Sequence, residues 1–235
     1  MPPTISIIIP ALNEAESIGR TLNAAKAEGE PSTDTTVEWI VVDGGSNDKT
    51  AEIARELGAT VLTSPRGRAL QMNAGAQAAH GNILLFLHAD TRLPHGFAAE
   101  IPRILALPRV VAGAFSLQID GPGRRLRWIE RAANWRSRFL HLPYGDQGFF
   151  LKAETFRSLG GFPELPLMED LEMTQLVRKR GRIAISPLAA MTSARRWERV
   201  GVLRATLLNQ MFLLAYLLGM PPQRIAEWYY PNSKS

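Results

Sequence analysis

The sequence predicts an α/β fold built on a mostly parallel central sheet flanked by helices. Three observations carry that expectation. Strand and helix signals alternate through the first half of the chain. The run Ile83-Leu84-Leu85-Phe86-Leu87 is apolar at every position, as a strand covered on both faces must be. Each such run stops abruptly in polar residues, and open α/β sheets place their chemistry just beyond the carboxyl ends of their strands.

Taken in order, Ile5 to Ile9 reads as the first strand, stopped by Pro10. Asn13 is then placed to cap a helix from about Glu14 to Lys26, and Glu30 to Thr36 forms a polar loop containing Pro31. Glu38 to Val42 is the second strand, ended by Asp43-Gly44-Gly45-Ser46. Asp48 caps a helix that runs through Leu57 and closes on Gly58. Ala59 to Thr63 is a short third strand, and a helix from about Ala69 to Ala79 leads through Gly81 into the 83–87 run. His88 and Asp90 follow, two positions apart, so in an extended segment both side chains point the same way. An imidazole and a carboxylate so arranged can hold a divalent metal, and the metal a phosphate. The other role open to Asp90 is to cap the next turn or helix, at Pro94 or soon after.

In the second half, Val110 to Ile119 reads as a strand with Gly113 inside it, and Gly121-Pro122-Gly123 as its turn. A basic, aromatic helix from about Arg124 to Phe139 follows. Its outer side is either a solvated face over a core stripe or a surface for an acceptor or a membrane. In Pro143 to Phe150, glycines bracket Asp146 and Gln147 and let the backbone approach a ligand closely. Asp146 can equally be a turn residue. Glu169, Asp170 and Glu172 open a helix running to about Arg180, where acids also suit the helix dipole. A strand at Ala189 to Thr192 precedes Ser193-Ala194-Arg195-Arg196-Trp197-Glu198. There an arginine fork can hold a diphosphate and Trp197 can stack on a sugar or base, or the segment is a basic surface loop.

Gly201 to Met220 is heavily apolar but broken by Arg204, Asn209 and Gln210, too short a run to span a bilayer. The chain is therefore divided at 1–200, an α/β domain, and 201–235, a helical extension. The extension packs on that domain, on a partner subunit in a homodimer, or at a membrane surface.

Composition narrows the function. At 235 residues, with 46% hydrophobic and 21% charged, the chain is that of an ordinary globular protein. The absence of cysteine excludes disulfides and thiolate metal sites and fits a reducing compartment. Met1-Pro2-Pro3-Thr4-Ile5 has no basic region and is not read as a signal peptide. The expected location is cytoplasmic, with the inner face of the membrane as the alternative. Net charge is +5, and arginines crowd three segments, 124–138, 178–182 and 195–204. No nucleic-acid-binding motif accompanies them, so phosphate groups and membrane surfaces rank above nucleic acid as partners. Neither G-x-G-x-x-G nor G-x-x-x-x-G-K-[ST] occurs, which argues against nicotinamide-dependent dehydrogenases and P-loop NTPases.

Ile8-Ile9-Pro10-Ala11-Leu12-Asn13-Glu14, Val41-Val42-Asp43-Gly44-Gly45-Ser46-Asn47-Asp48-Lys49-Thr50 and His88-Ala89-Asp90 together resemble the family 2 glycosyltransferases of the GT-A fold. Gly160-Gly161-Phe162-Pro163 and Glu169-Asp170 match the same family in order and spacing, and the resemblance covers roughly residues 4 to 200. It implies an inverting transfer of sugar from a nucleotide-diphosphate donor, most often a UDP-sugar, to a hydroxyl acceptor. Asp43 matches the carboxylate that reads the base. Pro10, Asn13 and Glu14 match the lining of the nucleotide pocket, with Gly44 where the family usually has a second aspartate. Arg66 matches a basic residue near the base or phosphates, and Asp146 and Gln147 fall in a segment of sugar contacts. Asp90 matches the last aspartate of the family's D-x-D metal motif, and His88 replaces the first. An imidazole suits manganese better than magnesium, so the implied cofactor is a divalent metal with Mn²⁺ favoured over Mg²⁺.

Inversion needs a base to deprotonate the acceptor, and the resemblance places it at Asp170, with Glu169 as its neighbour. Arg195, Arg196 and Trp197 parallel an Arg-Trp pair of some members. The whole sequence looks closest to a bacterial subgroup labelled arsenosugar-biosynthesis-associated. Two alternatives stand beside this reading, a nucleotidyltransferase and a catalytically inactive nucleotide-binding or membrane-peripheral scaffold.

Overall fold

The structure is a computed structural model and describes residues 3–28 and 35–229. Most of the polar loop expected between Glu30 and Thr36 lies outside them. The strands are β1 (Thr4–Ala11), β2 (Thr36–Asp43), β3 (Thr60–Thr63), β4 (Ile83–Phe86), β5 (Thr91–Arg92), β6 (Val110–Asp120), β7 (Phe149–Lys152) and β8 (Arg182–Ser193). They form one sheet in the order β3-β2-β1-β4-β7-β6-β8-β5. β1 pairs in parallel with both β2 and β4, and β2 with β3. β4 is central and buried at all four positions, as its uninterrupted apolar run requires.

Side chains alternate across the sheet and feed two cores. Ile5, Ile7, Ile9 and Leu85 pack on one face with Phe97 and Phe115. Ile8, Ile40, Val42, Leu84 and Phe86 pack on the other with Met72 and Met173. The covering helices are α1 (Ala15–Glu28), α2 (Thr50–Glu56), α3 (Arg68–Ala78), α4 (Phe97–Leu105), α5 (Arg124–Leu140), α6 (Ala153–Ser158) and α7 (Glu169–Arg178). Three more, α8 (Arg195–Val200), α9 (Val202–Leu217) and α10 (Pro222–Tyr229), follow the sheet.

Two expectations need correction, and two further features are seen beside them. Pro10 does not stop the first strand, because β1 runs on to Ala11 with Pro10 opposite Val42. Ile8 accepts from the Leu87 N–H on the β4 side, and Pro10, two residues on, faces that side past the end of β4, so its missing N–H costs no ladder bond. Asn13 does not cap α1. It sits in the left-handed region at φ 54° and its side chain turns to the next loop. The second half of the sheet is mixed: β7 runs antiparallel to β4 and β6, and β6 and β8 are parallel to each other. Residues 195–200 form a short helix, not a loop.

The C-terminal helices pack through Phe212 and Ile225 against Leu167. Tyr216 donates its hydroxyl to Glu172 Oε1 on α7 at 2.5 Å. Leu207, Met211, Leu214 and Leu218 are exposed. No helix among the described residues is long and apolar enough to cross a membrane.

Candidate active site

Three parallel strands, β2, β1 and β4, deliver three loops side by side at one edge of the sheet. A fourth piece arrives from the opposite direction. Phe149 at the start of β7 pairs with Phe86 at the end of β4, so the 3₁₀ turn Gly145–Gln147 just before β7 reaches the same edge. The topology thus gathers Asp43, Asn13-Glu14, His88-Asp90 and Gly145-Asp146.

The first two loops are locked together. Asp43 is 7% exposed, and its carboxylate accepts the Gly45 and Ser46 N–H groups at 3.1 and 3.0 Å and the Ser46 hydroxyl at 2.5 Å. Asn13 Oδ1 accepts the Asn47 N–H at 2.9 Å, while the Asn13 N–H donates to Ser46 Oγ at 2.9 Å. The start of α1 takes its acceptors from across the gap: Glu14 N–H donates to Thr50 Oγ1 at 2.8 Å and Ala15 N–H to Asp48 Oδ2 at 3.1 Å. Beneath them the Gln71 amide donates to Ala11 O and Val42 O at 2.8 and 2.7 Å, binding the ends of β1 and β2 to α3. A Cβ on Gly44 would stand 3.0 Å from that amide.

The third loop is a tight turn. Thr91 N–H donates to His88 O at 3.1 Å, so His88-Ala89-Asp90-Thr91 folds back and is not extended. Thr21 Oγ1 donates to Ala89 O at 2.9 Å and Ser193 N–H to Asp90 O at 3.1 Å, which fixes the turn from two sides. The Asp90 carboxylate faces Arg195, whose Nη2 lies 3.5 Å from Asp90 Oδ2 and 2.5 Å from Glu14 Oε2. His88 turns elsewhere. Its Nε2 is buried without a hydrogen-bond partner among the described residues, and burial, aided by the Arg68 charge, holds the ring well below the usual imidazole range and so neutral.

The fourth piece carries the acids of α7. Gly145 N–H donates to Asp170 Oδ2 at 3.1 Å. A Cβ added at Gly145 would stand 2.4 Å from that oxygen and 2.5 Å from His88 Nε2, so the missing side chain is what leaves room for both groups around position 145. Burial, then the Glu169 charge, raise Asp170 to about 7; Arg68 opposes them and Asp146 adds to the rise. Arg68 pairs with Glu169 at 3.2 Å and approaches Asp170 at 3.9 Å. Asp146 is pushed up by burial, with the Arg136 charge opposing and the Asp90 charge adding, and its Oδ1 is buried without a partner among the described residues.

The remaining expected residues divide. Pro10 is half-buried beside Val42. Arg66 is exposed on the segment before α3 and makes no ion pair among the described residues. Gln147 is fully buried and spent internally: its amide donates to Phe115 O at 2.9 Å and its Oε1 accepts from Ser137 Oγ at 2.7 Å. Arg196 turns away from Asp90, donates to Asn209 Oδ1 at 2.7 Å and stacks over Tyr229. Trp197 is half-buried against the cluster of Leu117, Ile119 and Leu126. Arg68 and Gln71 were not anticipated. The Gly67-Arg68 helix start was the signal available for the arginine, and nothing in the sequence marked the glutamine.

A divalent ion finds a partial fit here. Because the turn at 88–91 aims His88 at Gly145 and Asp90 at Arg195, the extended geometry that would direct both at one ion is not there, and the imidazole argument for manganese loses its ground. Among the described residues no three His, Asp or Glu side chains gather as a ligand set. One carboxylate, Asp90, suits an ion that takes its other oxygens from substrate phosphates and water.

Residues 6–160 match the family described as Glycosyl transferase family 2. An undecaprenyl-phosphate 4-deoxy-4-formamido-L-arabinose transferase of Pectobacterium atrosepticum is 28% identical over 94% of this chain and 69% of its own length. The chain spans 27% to 63% of the length of other curated relatives it matches. Among solved structures, the mannosyltransferase PcManGT of Pyrobaculum calidifontis, in complex with GDP-Man and Mn²⁺, superposes with a TM-score of 0.67 at 21% identity, covering 99% of this chain and 71% of that one. The glucosyl-3-phosphoglycerate synthase of Mycobacterium tuberculosis, in complex with Mn²⁺, UDP and glucosyl-3-phosphoglycerate, gives 0.59 at 20% identity, covering 93% and 81%. These likenesses establish the GT-A fold.

Proposed function

This chain belongs to glycosyl transferase family 2 and is a nucleotide-sugar transferase, and we propose that it moves the sugar from a UDP-sugar to a hydroxyl acceptor with inversion. The observation that carries the reading is the placement of Asp170. Its carboxyl is raised to about 7 and held by the Gly145 N–H at the same sheet edge as the Asp43, Glu14 and Asp90 loops. A base working near neutral pH needs such a value, so Asp170 takes the acceptor proton. Glu169, paired with Arg68, holds that arginine beside it.

On the donor side, Pro10, Asn13, Glu14 and Asp43 hold the nucleoside. Asp43 acts partly by fixing the Gly45-Ser46 backbone and partly as the base-reading acceptor. Arg195 lies between Glu14 and Asp90, where a fork of N–H donors meets a leaving diphosphate. The Mn²⁺ bound by the two structural neighbours supports a divalent ion at Asp90 here, held jointly with the donor phosphates. Such an ion, when bound, neutralises charge on the departing diphosphate. Asp146, buried between the charges of Asp90 and Arg136, faces the sugar. The acceptors to be assayed are hydroxyl-bearing arsenosugar precursors, after the subgroup resemblance, with undecaprenyl phosphate, named for the Pectobacterium relative, as the contrasting case in which a phosphate oxygen attacks and Asp170 has no proton to take.

The test is thermal stability with UDP, GDP and dTDP, each with and without Mn²⁺, followed by hydrolysis of the matching sugar donors. A ligand at ~100 times its dissociation constant adds about 2.7 kcal/mol. UDP stabilisation that needs the ion is the expected result. Equal stabilisation without it removes the ion from Asp90. If no nucleotide stabilises the chain, the scaffold reading replaces the transferase, and pyrophosphate release from a nucleoside triphosphate would replace it with a nucleotidyltransferase.

A further inference from the structure

The long helix α5 carries six arginines and one acid, Glu130, and it sorts them by face. On the inner side Arg127 donates to Ile119 O at 2.6 Å, and Glu130 pairs with Arg127 at 2.9 Å while accepting the Ile119 N–H. Arg136 donates to Leu142 O at 3.0 Å and stacks on Tyr144. Arg138 donates to Ser116 Oγ at 3.2 Å, so these three arginines are engaged within the protein.

The outer side is different. Trp128 is 68% exposed, Trp135 57% and Phe139 67%, at spacings of seven and four that put them along one helical face. Arg124, Arg125 and Arg131 stand exposed among them and make no ion pair among the described residues. Arg131 lies over the Trp128 ring at 5.6 Å, and Trp135 and Phe139 pack ring to ring at 5.6 Å. No acid on α5 shares this face.

We propose that the outer face of α5 docks on an anionic lipid surface. Large amphipathic aromatics prefer the headgroup region, where the ring is in apolar surroundings and the polar edge in water. Arginines between them meet lipid phosphates, and no acid of α5 on this face opposes an anionic leaflet. The same charge pattern disfavours a second copy of the chain, since a two-fold contact would press arginine on arginine.

The inner face of the same helix holds the acceptor-side turn. Ser137 on α5 donates to Gln147, Arg136 stacks on Tyr144, and Gly145 in that turn donates to Asp170. A docked α5 therefore sets the base beside the bilayer, and the acceptor is a membrane-borne amphiphile; that consequence rests on the transferase reading, while the docking does not.

Flotation of the full chain with vesicles tests the docking without any donor. Binding is expected to vesicles of phosphatidylcholine and phosphatidylglycerol in equal parts, to be weak on phosphatidylcholine alone, and to fall with salt. Arg125→Gln and Arg131→Gln should each lower partitioning about fivefold. Trp128→Ala with Trp135→Ala should abolish it, with the melting temperature kept because both rings are already in solvent. Absence of flotation at low salt overturns the proposal. So does flotation that the Trp128→Ala, Trp135→Ala variant leaves intact, which would move the contact to the exposed leucines of α9. A tryptophan variant that instead changes the oligomeric state would assign the face to a second copy. Donor hydrolysis is read separately, so failure of docking and failure of the transferase reading give different results.

Discussion

Asp170 Oδ2 accepts the Gly145 N–H at 3.1 Å, and the carboxylate reaches that amide only because position 145 has no Cβ. The contact joins two segments of opposite origin. Gly145 is carried by the turn that leads into an antiparallel strand, and Asp170 by the first turn of a helix 25 residues later in the chain. Neither segment alone fixes the carboxylate; together they hold it beside the neutral His88 ring.

Gly145→Ala should therefore damage the reaction far more than the fold. Its Cβ would meet Asp170 Oδ2 and His88 Nε2 at 2.4 and 2.5 Å, and the carboxylate must move by the order of an ångström. A displacement of ~1 Å at a reacting group costs about a hundredfold in rate. Steady-state kinetics should show that loss in kcat, with UDP affinity changed less, since the Asp43 and Asn13-Glu14 loops lie on other strands and only the His88–Asp90 turn is touched. An equal fall in UDP affinity would mean that the turn also shapes the donor pocket.

Asp170 also predicts the pH dependence. Burial, and then the Glu169 charge, lift its carboxyl from 3.8 to about 7. The folded protein therefore holds a proton that the unfolded chain has lost, and stability falls as pH climbs through that window. For kcat/KM the acidic limb should lie near 7, because the free base is the reactive form. Asp170→Asn should melt with the parent at about pH 3.5, below the ordinary carboxyl value of 3.8, and above it at about pH 8, by about 1–3 kcal/mol. The lower part of that range is favoured by the 20% of the side chain left in solvent. Identical melting at both values would show that the carboxylate is not strained in the folded state.

The sequence made the donor side of the site readable and left the acceptor side partly dark, for reasons that lie in particular residues. Asp43, Asn13 and Asp90 each stand at the end of an apolar run, and parallel order puts such ends together. Phe149 to Lys152 is only four residues long, and nothing in a run that short gives its direction. The turn at His88–Asp90 could not be told from an extended segment, so the shared direction inferred for the two side chains did not hold. By sequence alone Arg195 and Arg196 are equally suited to a diphosphate. On a helix, adjacent side chains do not face the same way, and α8 sends one to Asp90 and the other to Asn209.

That divergence separates the two arginines by experiment. Arg195→Ala removes the group that lies 2.5 Å from Glu14 and 3.5 Å from Asp90. Calorimetric titration should show UDP binding weakened about tenfold to a hundredfold, the worth of one charge-assisted contact of about 1.5–3 kcal/mol. Arg196→Ala should leave UDP binding unchanged. Chelation of divalent ions should weaken UDP further in the Arg195→Ala protein, because Asp90 then has neither cation; additivity of the two losses would place arginine and ion at independent positions.

The C-terminal helices should prove inseparable from the domain that carries Asp170. Phe212 is 5% exposed, sits with Leu167 and Ile225, and packs its ring 5.6 Å from that of Tyr229. One turn further along α9, Tyr216 donates to Glu172 in the first turn of α7, the turn that also carries Asp170. Phe212→Ala should cost about 3 kcal/mol, near the low end for a buried phenylalanine because the neighbouring helix is free to settle. Urea unfolding should stay a single transition at a lower midpoint with the slope unchanged. Tyr216→Phe should cost about 1 kcal/mol and lower kcat without altering UDP affinity, because it loosens α7 and not the nucleotide loops. A second transition in the Phe212→Ala protein, with activity kept after the first, would show the extension to be a separate folding unit whose contact with α7 is incidental to the base.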